Sequence, residues 1–294
     1  MFSGFKTFER EVGEVRIAGR IGGFGPPLLL LHGYPQTHVM WHKVAPKLAE
    51  RFTVIAADLR GYGGSTCPPT REDHSQMSKR EMAADMVGLM AQFGFDRFDI
   101  LSHDRGARVA HRLGMDHPDR VGKMVILDIA PTREMYEHTT LGFARTYAHW
   151  FYLTERFPLP ERMIEANPRD FWDKKCVFGA AGSGPFAPEA RAAYHEAFDN
   201  VDVIHASCED YRAAATIDIL HDNEDGDRKL TCPIRVLLGA NGAIEAYFDC
   251  LGLWRMRAET VMGKALPGGH YLAEELPELV IDEALAFFGE GVSA

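Results

Sequence analysis

Residues 100–108 read Ile-Leu-Ser-His-Asp-Arg-Gly-Ala-Arg and join two different patterns. Apolar residues lead into them, as in a buried strand, and a helical pattern that begins at Arg105 leads out. A small residue, Ser102, stands two positions before Asp104, and Gly106 stands two positions after it. This small-x-nucleophile-x-Gly spacing is typical of a nucleophile elbow, in which a strand turns sharply into a helix. We therefore expect an α/β fold with Asp104 at the tip of the turn.

Asp104 occupies the position at which most enzymes with this turn carry Ser or Cys. A carboxylate there is suited to displace a leaving group from a saturated carbon and to form an alkyl ester. Arg105 follows directly, and Arg108 lies one helical turn further along. Because guanidinium groups bind carboxylates well, the pair predicts a substrate that is itself an anion. A structural alternative stays open, in which the arginines pair with acidic residues such as Glu209 or Asp210.

Short apolar runs alternate with helical patterns along the chain. We predict an early hairpin within 12–21, buried strands at 28–32, 53–58, 97–101, 123–128 and 234–240, and helices at 41–52, 79–93, 105–115 and 277–288. This alternation indicates a mostly parallel sheet covered by helices on both faces. The stretch 133–227 is rich in aromatic and charged residues and shows no convincing strand. We therefore predict a core of residues 1–132 and 228–294, with a helical cap, residues 133–227, inserted into it.

The composition narrows the class of protein. The chain has 294 residues, of which 46% are hydrophobic and 25% charged, so it can build a large core. Its net charge of -10 argues against binding to nucleic acid or to an anionic membrane surface. Five cysteines without a CxxC pair predict free thiols in a reducing compartment. Since we see neither a signal-peptide core nor an apolar run long enough for a membrane span, we expect a cytoplasmic protein.

Acidic residues follow the ends of the predicted strands, where the working residues of open α/β sheets lie. Asp104 and Asp128 both hold such positions, and His270 lies in a late loop. The order of nucleophile, acid and histidine predicts Asp104 as nucleophile, Asp128 as the acid that orients the histidine, and His270 as base. Glu245, which follows the strand predicted at 234–240, is the alternative acid.

Several motifs span nearly the whole chain and resemble the aspartate-nucleophile branch of the α/β-hydrolase superfamily, most closely the fluoroacetate (haloacetate) dehalogenases. They are His32-Gly33-Tyr34-Pro35-Gln36, Asp58-Leu59-Arg60-Gly61-Tyr62-Gly63, His103-Asp104-Arg105-Gly106-Ala107-Arg108, Leu127-Asp128-Ile129, His149-Trp150, Cys208-Glu209-Asp210-Tyr211-Arg212 and Gly268-Gly269-His270. The resemblance implies an α/β-hydrolase fold and hydrolytic removal of halide from small 2-haloacids such as fluoroacetate or chloroacetate. It also implies that water and a small anionic substrate suffice, without a metal or an organic cofactor, and that the protein is a homodimer.

The resemblance further implies a role for each site residue. The catalytic residues are Asp104, His270 and Asp128, the substrate carboxylate binds Arg105 and Arg108, the halide binds His149, Trp150 and Tyr211, and the oxyanion binds the backbone N–H groups of Tyr34 and Arg105. Two positions depart from the family pattern. Ala180 stands where we expect a cap tryptophan, which bears on turnover rate and halide preference, and Ser102 replaces the expected elbow glycine.

Two other functions stay open. An epoxide hydrolase would use the same triad, with cap tyrosines such as Tyr211 donating to the epoxide oxygen, but the paired arginines would then have no task. A non-catalytic module of this fold would bind a small acid without turnover. The spacing of His38 and His42 suits a metal, yet no third ligand is evident, so we predict no metal site. His149 and Trp150 also have a plain interpretation as packing residues.

Overall fold

The computed structural model describes residues 1–176 and 184–289. Its strands are β1 (Lys6–Val12), β2 (Val15–Gly22), β3 (Pro27–Leu31), β4 (Thr53–Ala57), β5 (Phe98–His103), β6 (Val121–Leu127), β7 (Ile234–Gly239) and β8 (Val261–Leu266). They form one eight-stranded sheet in the order β1-β2-β4-β3-β5-β6-β7-β8. The pairs β1–β2 and β2–β4 are antiparallel, and every pair from β4 to β8 is parallel. The mostly parallel sheet predicted from the sequence is confirmed.

Helices surround the sheet. The α-helices are α1 (Ala45–Leu48), α2 (Lys79–Gln92), α3 (Arg105–Asp116), α4 (Thr132–Glu137), α5 (Leu141–Thr146), α6 (His149–Tyr152), α7 (Leu159–Glu165), α8 (Pro168–Cys176), α9 (Pro188–Phe198), α10 (Val201–Ala215), α11 (Ile217–Asp225), α12 (Ala243–Tyr247), α13 (Cys250–Arg257), α14 (Leu272–Glu275) and α15 (Pro277–Gly289). Short 3-10 helices span His38–Trp41, Ser75–Met77 and Pro118–Arg120. Within the described ranges, no helix combines the length and apolar character that a membrane crossing requires.

The central strands position the site because they are mostly buried and run in one direction. Each residue from Leu28 to Leu31 has an exposure of 0%, as expected for a strand covered on both faces. In the parallel register, His103 at the end of β5 lies beside Leu127 at the end of β6. Asp104 and Asp128 directly follow these two residues. The two carboxylates are therefore brought to the same edge of the sheet.

Between β6 and β7 the described residues form helices only, from α4 to α11. Helix α10 contacts the 3-10 helix Ser75–Met77, which precedes β6 in the chain. It also contacts α7, α9 and α11, which follow β6. The division into a core of residues 1–132 and 228–294 and a cap of residues 133–227 stays a prediction.

Three local predictions need correction. The helix expected at 41–52 is reduced to the 3-10 turn His38–Trp41 and the short α1, in which Pro46 occupies the first turn. Proline is well suited to a helix start but not to a helix interior, which accounts for the break. The hairpin begins earlier than expected, because its first strand spans Lys6–Val12. Strand β8 had no predicted counterpart, and its largely exposed sequence at the sheet edge explains why.

Candidate active site

The turn between β5 and α3 holds Asp104 in a strained conformation. Its φ of 46° and ψ of -114° lie outside the regions that a residue with a side chain ordinarily adopts. The start of α3 approaches the end of β3 very closely here. A Cβ on Gly106 would lie 2.4 Å from the carbonyl oxygen of His32 and 2.5 Å from that of Leu31. Gly106 is therefore required for the turn, and the turn aims the Asp104 carboxylate away from the sheet edge.

The Asp104 carboxylate is buried, with an exposure of 3%, and one of its oxygens is fixed. The backbone N–H of Tyr34 donates to Oδ1 at 2.9 Å. Burial opposes ionisation, but the interactions with His270, His103 and Arg105 outweigh it and lower the pKa of Asp104 to about 2. Asp104 is thus a carboxylate at neutral pH, and its Oδ2 accepts no hydrogen bond from a described residue.

His270 and Asp128 form the second part of the site. His270 Nδ1 lies 2.7 Å from Asp128 Oδ2, and the backbone N–H of Gly239 donates to Asp128 Oδ1 at 2.8 Å. With both oxygens engaged, Asp128 fixes the imidazole and favours a proton on Nδ1, which leaves Nε2 to accept one. Glu245, the alternative acid, is exposed on α12 and makes no hydrogen bond within the described ranges.

The two arginines differ in how they are held. Arg105 donates from Nε to Asp210 Oδ2 at 2.9 Å, and from Nη2 to Asp210 Oδ1 at 2.5 Å and to the Asp210 carbonyl at 2.8 Å. The pairing with a carboxylate of α10 that the sequence left open is therefore present for Arg105. Its Nη1 makes no hydrogen bond to any residue that the structure describes. Arg105 retains one free donor edge for a ligand.

Arg108 has no counter-ion among the described residues. Its Nη1 donates to Thr132 Oγ1 at 2.6 Å, its Nη2 lies 3.3 Å from Met135 Sδ, and its Nε is buried without a partner. The side chain is only 3% exposed. Burial, and then the neighbouring charge of Arg105, lower the pKa of Arg108. An unpaired buried cation is costly, so this position is suited to receive an anion.

Side chains with N–H and O–H groups gather beside the arginines. The guanidinium of Arg108 lies 4.7 Å from the centre of the Trp150 ring, and that of Arg105 lies 4.2 Å from the centre of the Tyr211 ring. The indole N–H of Trp150 is buried and has no hydrogen-bond partner among the residues that the structure describes. His149 lies 5.8 Å from Tyr211, centre to centre, and burial together with nearby cations keeps its pKa well below the ordinary value. These three residues can offer donors to a departing anion.

The comparisons agree with this geometry. A family model described as the α/β-hydrolase fold matches residues 26–168. A fluoroacetate dehalogenase from Burkholderia sp is 43% identical over 95% of this chain and 92% of its own length. The chain belongs to the α/β-hydrolase family. A soluble epoxide hydrolase from Corynebacterium sp. (strain C12) is 32% identical over 90% of this chain and 91% of its own. An α/β-hydrolase from Nostoc sp PCC 7120 has a crystal structure that matches this one with a TM-score of 0.95. The two sequences are 50% identical, and the match covers 98% of this chain and 99% of the Nostoc chain.

This α/β-hydrolase also carries site residues that sequence reasoning missed. Lys79 pairs with Asp210 behind Arg105, and Tyr62 donates to Asp210 Oδ2 at 2.7 Å. His103 is fully buried, and its ring centre is 4.6 Å from that of His270. In the described part of the chain, neither of its ring nitrogens has a hydrogen-bond partner. Burial and then His270 lower the pKa of His103 to about 3, so it is neutral. Tyr62 and His103 belong to motifs that carried the resemblance, whereas nothing in the local pattern around Lys79 distinguishes it from a surface residue.

Ala180 lies outside the described residues. The structure does describe Lys175, which precedes that stretch. Lys175 lines a cavity of about 570 Å³ together with Arg145, His149 and Lys174. Although the whole chain has a charge of -10, three cations lie around this cavity. A local positive field can attract a small anion where the overall field does not.

Proposed function

We propose that this protein is a hydrolytic dehalogenase that removes halide from small 2-haloacids such as fluoroacetate or chloroacetate. The observation that carries the proposal is Arg108, a buried cation near the Asp104 nucleophile that forms no ion pair with any described residue. An anionic substrate would supply the missing charge. The 43% identity to the Burkholderia fluoroacetate dehalogenase supports the same assignment.

In the first step, Asp104 Oδ2 attacks the carbon that bears the halogen. The new carbon–oxygen bond forms as the carbon–halogen bond breaks, and the halide leaves with the bonding electron pair. Arg105 Nη1 and Arg108 hold the substrate carboxylate, so that the reacting carbon faces Asp104. His149, Trp150 and Tyr211 donate to the departing halide, which matters most for fluoride because it is a poor leaving group. The product of this step is an ester on Asp104.

In the second step, His270 Nε2 takes a proton from water, which attacks the carbonyl carbon of the ester. Negative charge develops on Oδ1, where the N–H of Tyr34 already donates in the resting enzyme. The N–H of Arg105, at the first position of α3, is the second oxyanion donor, since the first N–H groups of a helix lack partners within it. The bond between Asp104 Cγ and Oδ2 then breaks, and the 2-hydroxy acid leaves with Oδ2 as its hydroxyl oxygen and with the proton that His270 returns. Asp128 stabilises the charged imidazole between these events.

Replacement of Arg108 by Gln tests the observation that carries the proposal. The variant keeps a hydrogen-bonding side chain but loses the charge, so we expect the KM for chloroacetate to rise about 100-fold or more, the size of a charge-assisted contact. The KM for neutral chloroacetamide should change little, because it brings no carboxylate. Arg112→Gln is the matched control on the same helix: Arg112 pairs with Asp116, Asp222 and Asp225. That control should lower the melting temperature without altering the ratio of the two KM values. Equal losses for chloroacetate and chloroacetamide in Arg108→Gln would contradict a carboxylate site.

Trp150→Phe tests the halide pocket. Removing the unpartnered indole N–H should reduce kcat for fluoroacetate by about 100-fold, by analogy with loss of an oxyanion-hole donor, and kcat for chloroacetate by much less. Trp254→Phe is the control, because the indole of Trp254 donates to the carbonyl of Ile129 at 2.8 Å rather than into the pocket. The measurement is release of fluoride and of chloride at saturating substrate. The same fractional loss with both substrates would argue that Trp150 only packs.

An epoxide hydrolase is the second candidate, because the Tyr211 hydroxyl makes no hydrogen bond within the described ranges and Tyr147 lies buried near the triad. Cap tyrosines of this kind could donate to an epoxide oxygen, and the Corynebacterium relative is a soluble epoxide hydrolase. The wild-type protein should be incubated separately with fluoroacetate, chloroacetate and a small epoxide. Opening of the epoxide without halide release, unaffected by Arg108→Ala, would favour this alternative. Binding of a small acid without any turnover would favour a non-catalytic module.

We also propose that the protein is a homodimer with a helical cap of residues 133–227 and that it works in the cytoplasm. All five cysteines are free, which supports a reducing compartment. Light scattering on the purified protein tests the assembly. A monomer at micromolar concentration would contradict it.

A further inference from the structure

A line of alternating charges runs from α11 into the active site. It consists of Asp218, Lys79, Asp210 and Arg105, and each of these side chains is at most 5% exposed. The Lys79 ammonium pairs with Asp210 Oδ1 and lies 3.6 Å from Asp218 Oδ2. Asp218 Oδ1 also accepts the backbone N–H of Lys79 at 2.8 Å. The line therefore joins α2 to α10 and α11 and ends at a residue that faces the substrate.

Asp210 has two opposite effects on Arg105. Its carboxylate and carbonyl engage Nε and Nη2 of Arg105, which fixes the guanidinium over the Tyr211 ring. The same carboxylate would also cancel the charge that Arg105 offers to a substrate. Despite burial, Arg105 and then Lys79 keep the pKa of Asp210 below its ordinary range, so Asp210 remains charged. The Asp210 carboxylate also pairs with the Lys79 ammonium and accepts a hydrogen bond from the Tyr62 hydroxyl.

We propose that Lys79 is a positioning residue that preserves the affinity of Arg105 for an anionic substrate by balancing the charge of Asp210. The inference rests on the proposed function, because it assumes that the substrate carboxylate binds at Arg105 and Arg108. In this arrangement Asp210 fixes the direction of Arg105, and Lys79 cancels the charge that Asp210 brings. The two cations of the line, Arg105 and Lys79, therefore attract the bound anion, whereas its two carboxylates repel it. Removing Lys79 weakens anion binding, and removing Asp218 strengthens it.

A purely structural role predicts something different. If Lys79 only tied α2 to α10, then removing Lys79 or Asp218 would loosen the same contact. Both changes would lower the melting temperature, and both would weaken the binding of charged and of neutral ligands to the same extent. The electrostatic role predicts opposite changes in the affinity for an anion when Lys79 or Asp218 is replaced. This difference distinguishes it from the structural role.

The experiment uses the full chain in four forms: wild type, Lys79→Met, Lys79→Arg and Asp218→Asn. Glycolate, which carries the substrate carboxylate but no halogen, is titrated into each by calorimetry. Turnover of chloroacetate is compared with that of neutral chloroacetamide. Lys79→Met should raise the glycolate Kd and the chloroacetate KM on the order of tenfold, the effect of one partly screened buried charge. It should leave the chloroacetamide KM within about twofold, since a neutral ligand feels little of that charge.

Two variants supply the matched comparisons. Lys79→Arg keeps the charge and should remain within about threefold of wild type, whereas Asp218→Asn should lower the glycolate Kd by about two- to fivefold. Glycolate Kd values that rise in both Lys79→Met and Asp218→Asn, or that stay within twofold in Lys79→Met, would overturn the inference. So would a wild-type protein that does not bind glycolate. If glycolate binds but no halide is released from haloacetates, the proposed function fails on its own, and the Kd series still decides the role of Lys79.

Discussion

Replacing Asp104 with Asn is expected to abolish halide release from both fluoroacetate and chloroacetate, with a loss of about 10⁴-fold or more, as for other nucleophile deletions. The amide is neutral and nearly the same size, so it can keep the hydrogen bond from the Tyr34 N–H while losing the ability to attack. Halide release is followed with an ion-selective electrode. Asp104→Ala provides a second variant that cannot revert to Asp by deamidation.

The electrostatics of the wild-type site explain why the loss should be complete. Because the pKa of Asp104 is about 2, the group is fully ionised at neutral pH. Among the residues that the structure describes, no other carboxylate forms an ion pair with Arg108 and could replace it. Asp128 is held by His270 and Gly239, and Asp210 is held by Arg105, Lys79 and Tyr62. Within the described ranges, both of these acids are therefore engaged elsewhere.

Isotope labelling separates this route from direct attack by water. In a single turnover of wild-type enzyme in ¹⁸O-labelled water, the label should enter the Asp104 carboxylate, because water attacks the ester carbonyl and not the substrate carbon. Peptide mass mapping around residue 104 reads the result. Label found in the first 2-hydroxy acid released, with none in Asp104, would rule out the covalent route.

The fold and the proximity of Asp104 to Asp128 could be predicted from the sequence for a local reason. Parallel strands end at one edge, so residues that directly follow apolar runs, such as Asp104 and Asp128, are brought together whatever the rest of the chain does. The family match adds His270 to that edge. Strand β8 escaped prediction because its burial pattern is mostly exposed, and an edge strand needs no apolar alternation.

The charge pairing around Arg105 could not be predicted in the same way. Asp210 lies 105 positions away on α10, and the sequence offered Glu209 beside it as an equal candidate. In the structure Glu209 pairs instead with Arg212 and His74. Which neighbour reaches the site depends on the rotation of α10 about its axis, which tertiary packing sets. The same holds for Lys79, whose burial follows from α10 and α11 covering the start of α2.

Replacing His270 with Asn should stop the reaction after the first step. The nucleophile and both arginines remain, so one equivalent of halide should be released per active site, after which turnover should fall by about 10⁴-fold because no base activates water. Intact-protein mass spectrometry after incubation with chloroacetate should show an increase of about 58 Da, the mass of a carboxymethyl ester on Asp104. Proteolysis should locate the added mass at Asp104.

The pH dependence of this halide burst gives a further check on the same variant. Asp104 and the substrate carboxylate must both be ionised for the first step. The pKa of Asp104 is about 2 in the wild type, and the loss of His270 raises it, but Arg105 and the Tyr34 N–H still favour the carboxylate form. The burst rate in His270→Asn should therefore be flat around neutral pH, and lowering the pH toward the pKa of Asp104 should slow it as the carboxylate takes up a proton. His103 does not act as a competing base, because burial lowers its pKa to about 3 and because both of its ring nitrogens are enclosed by protein. Sustained turnover by His270→Asn without an accumulated ester would show that another group activates water, and the two-step mechanism would have to be abandoned.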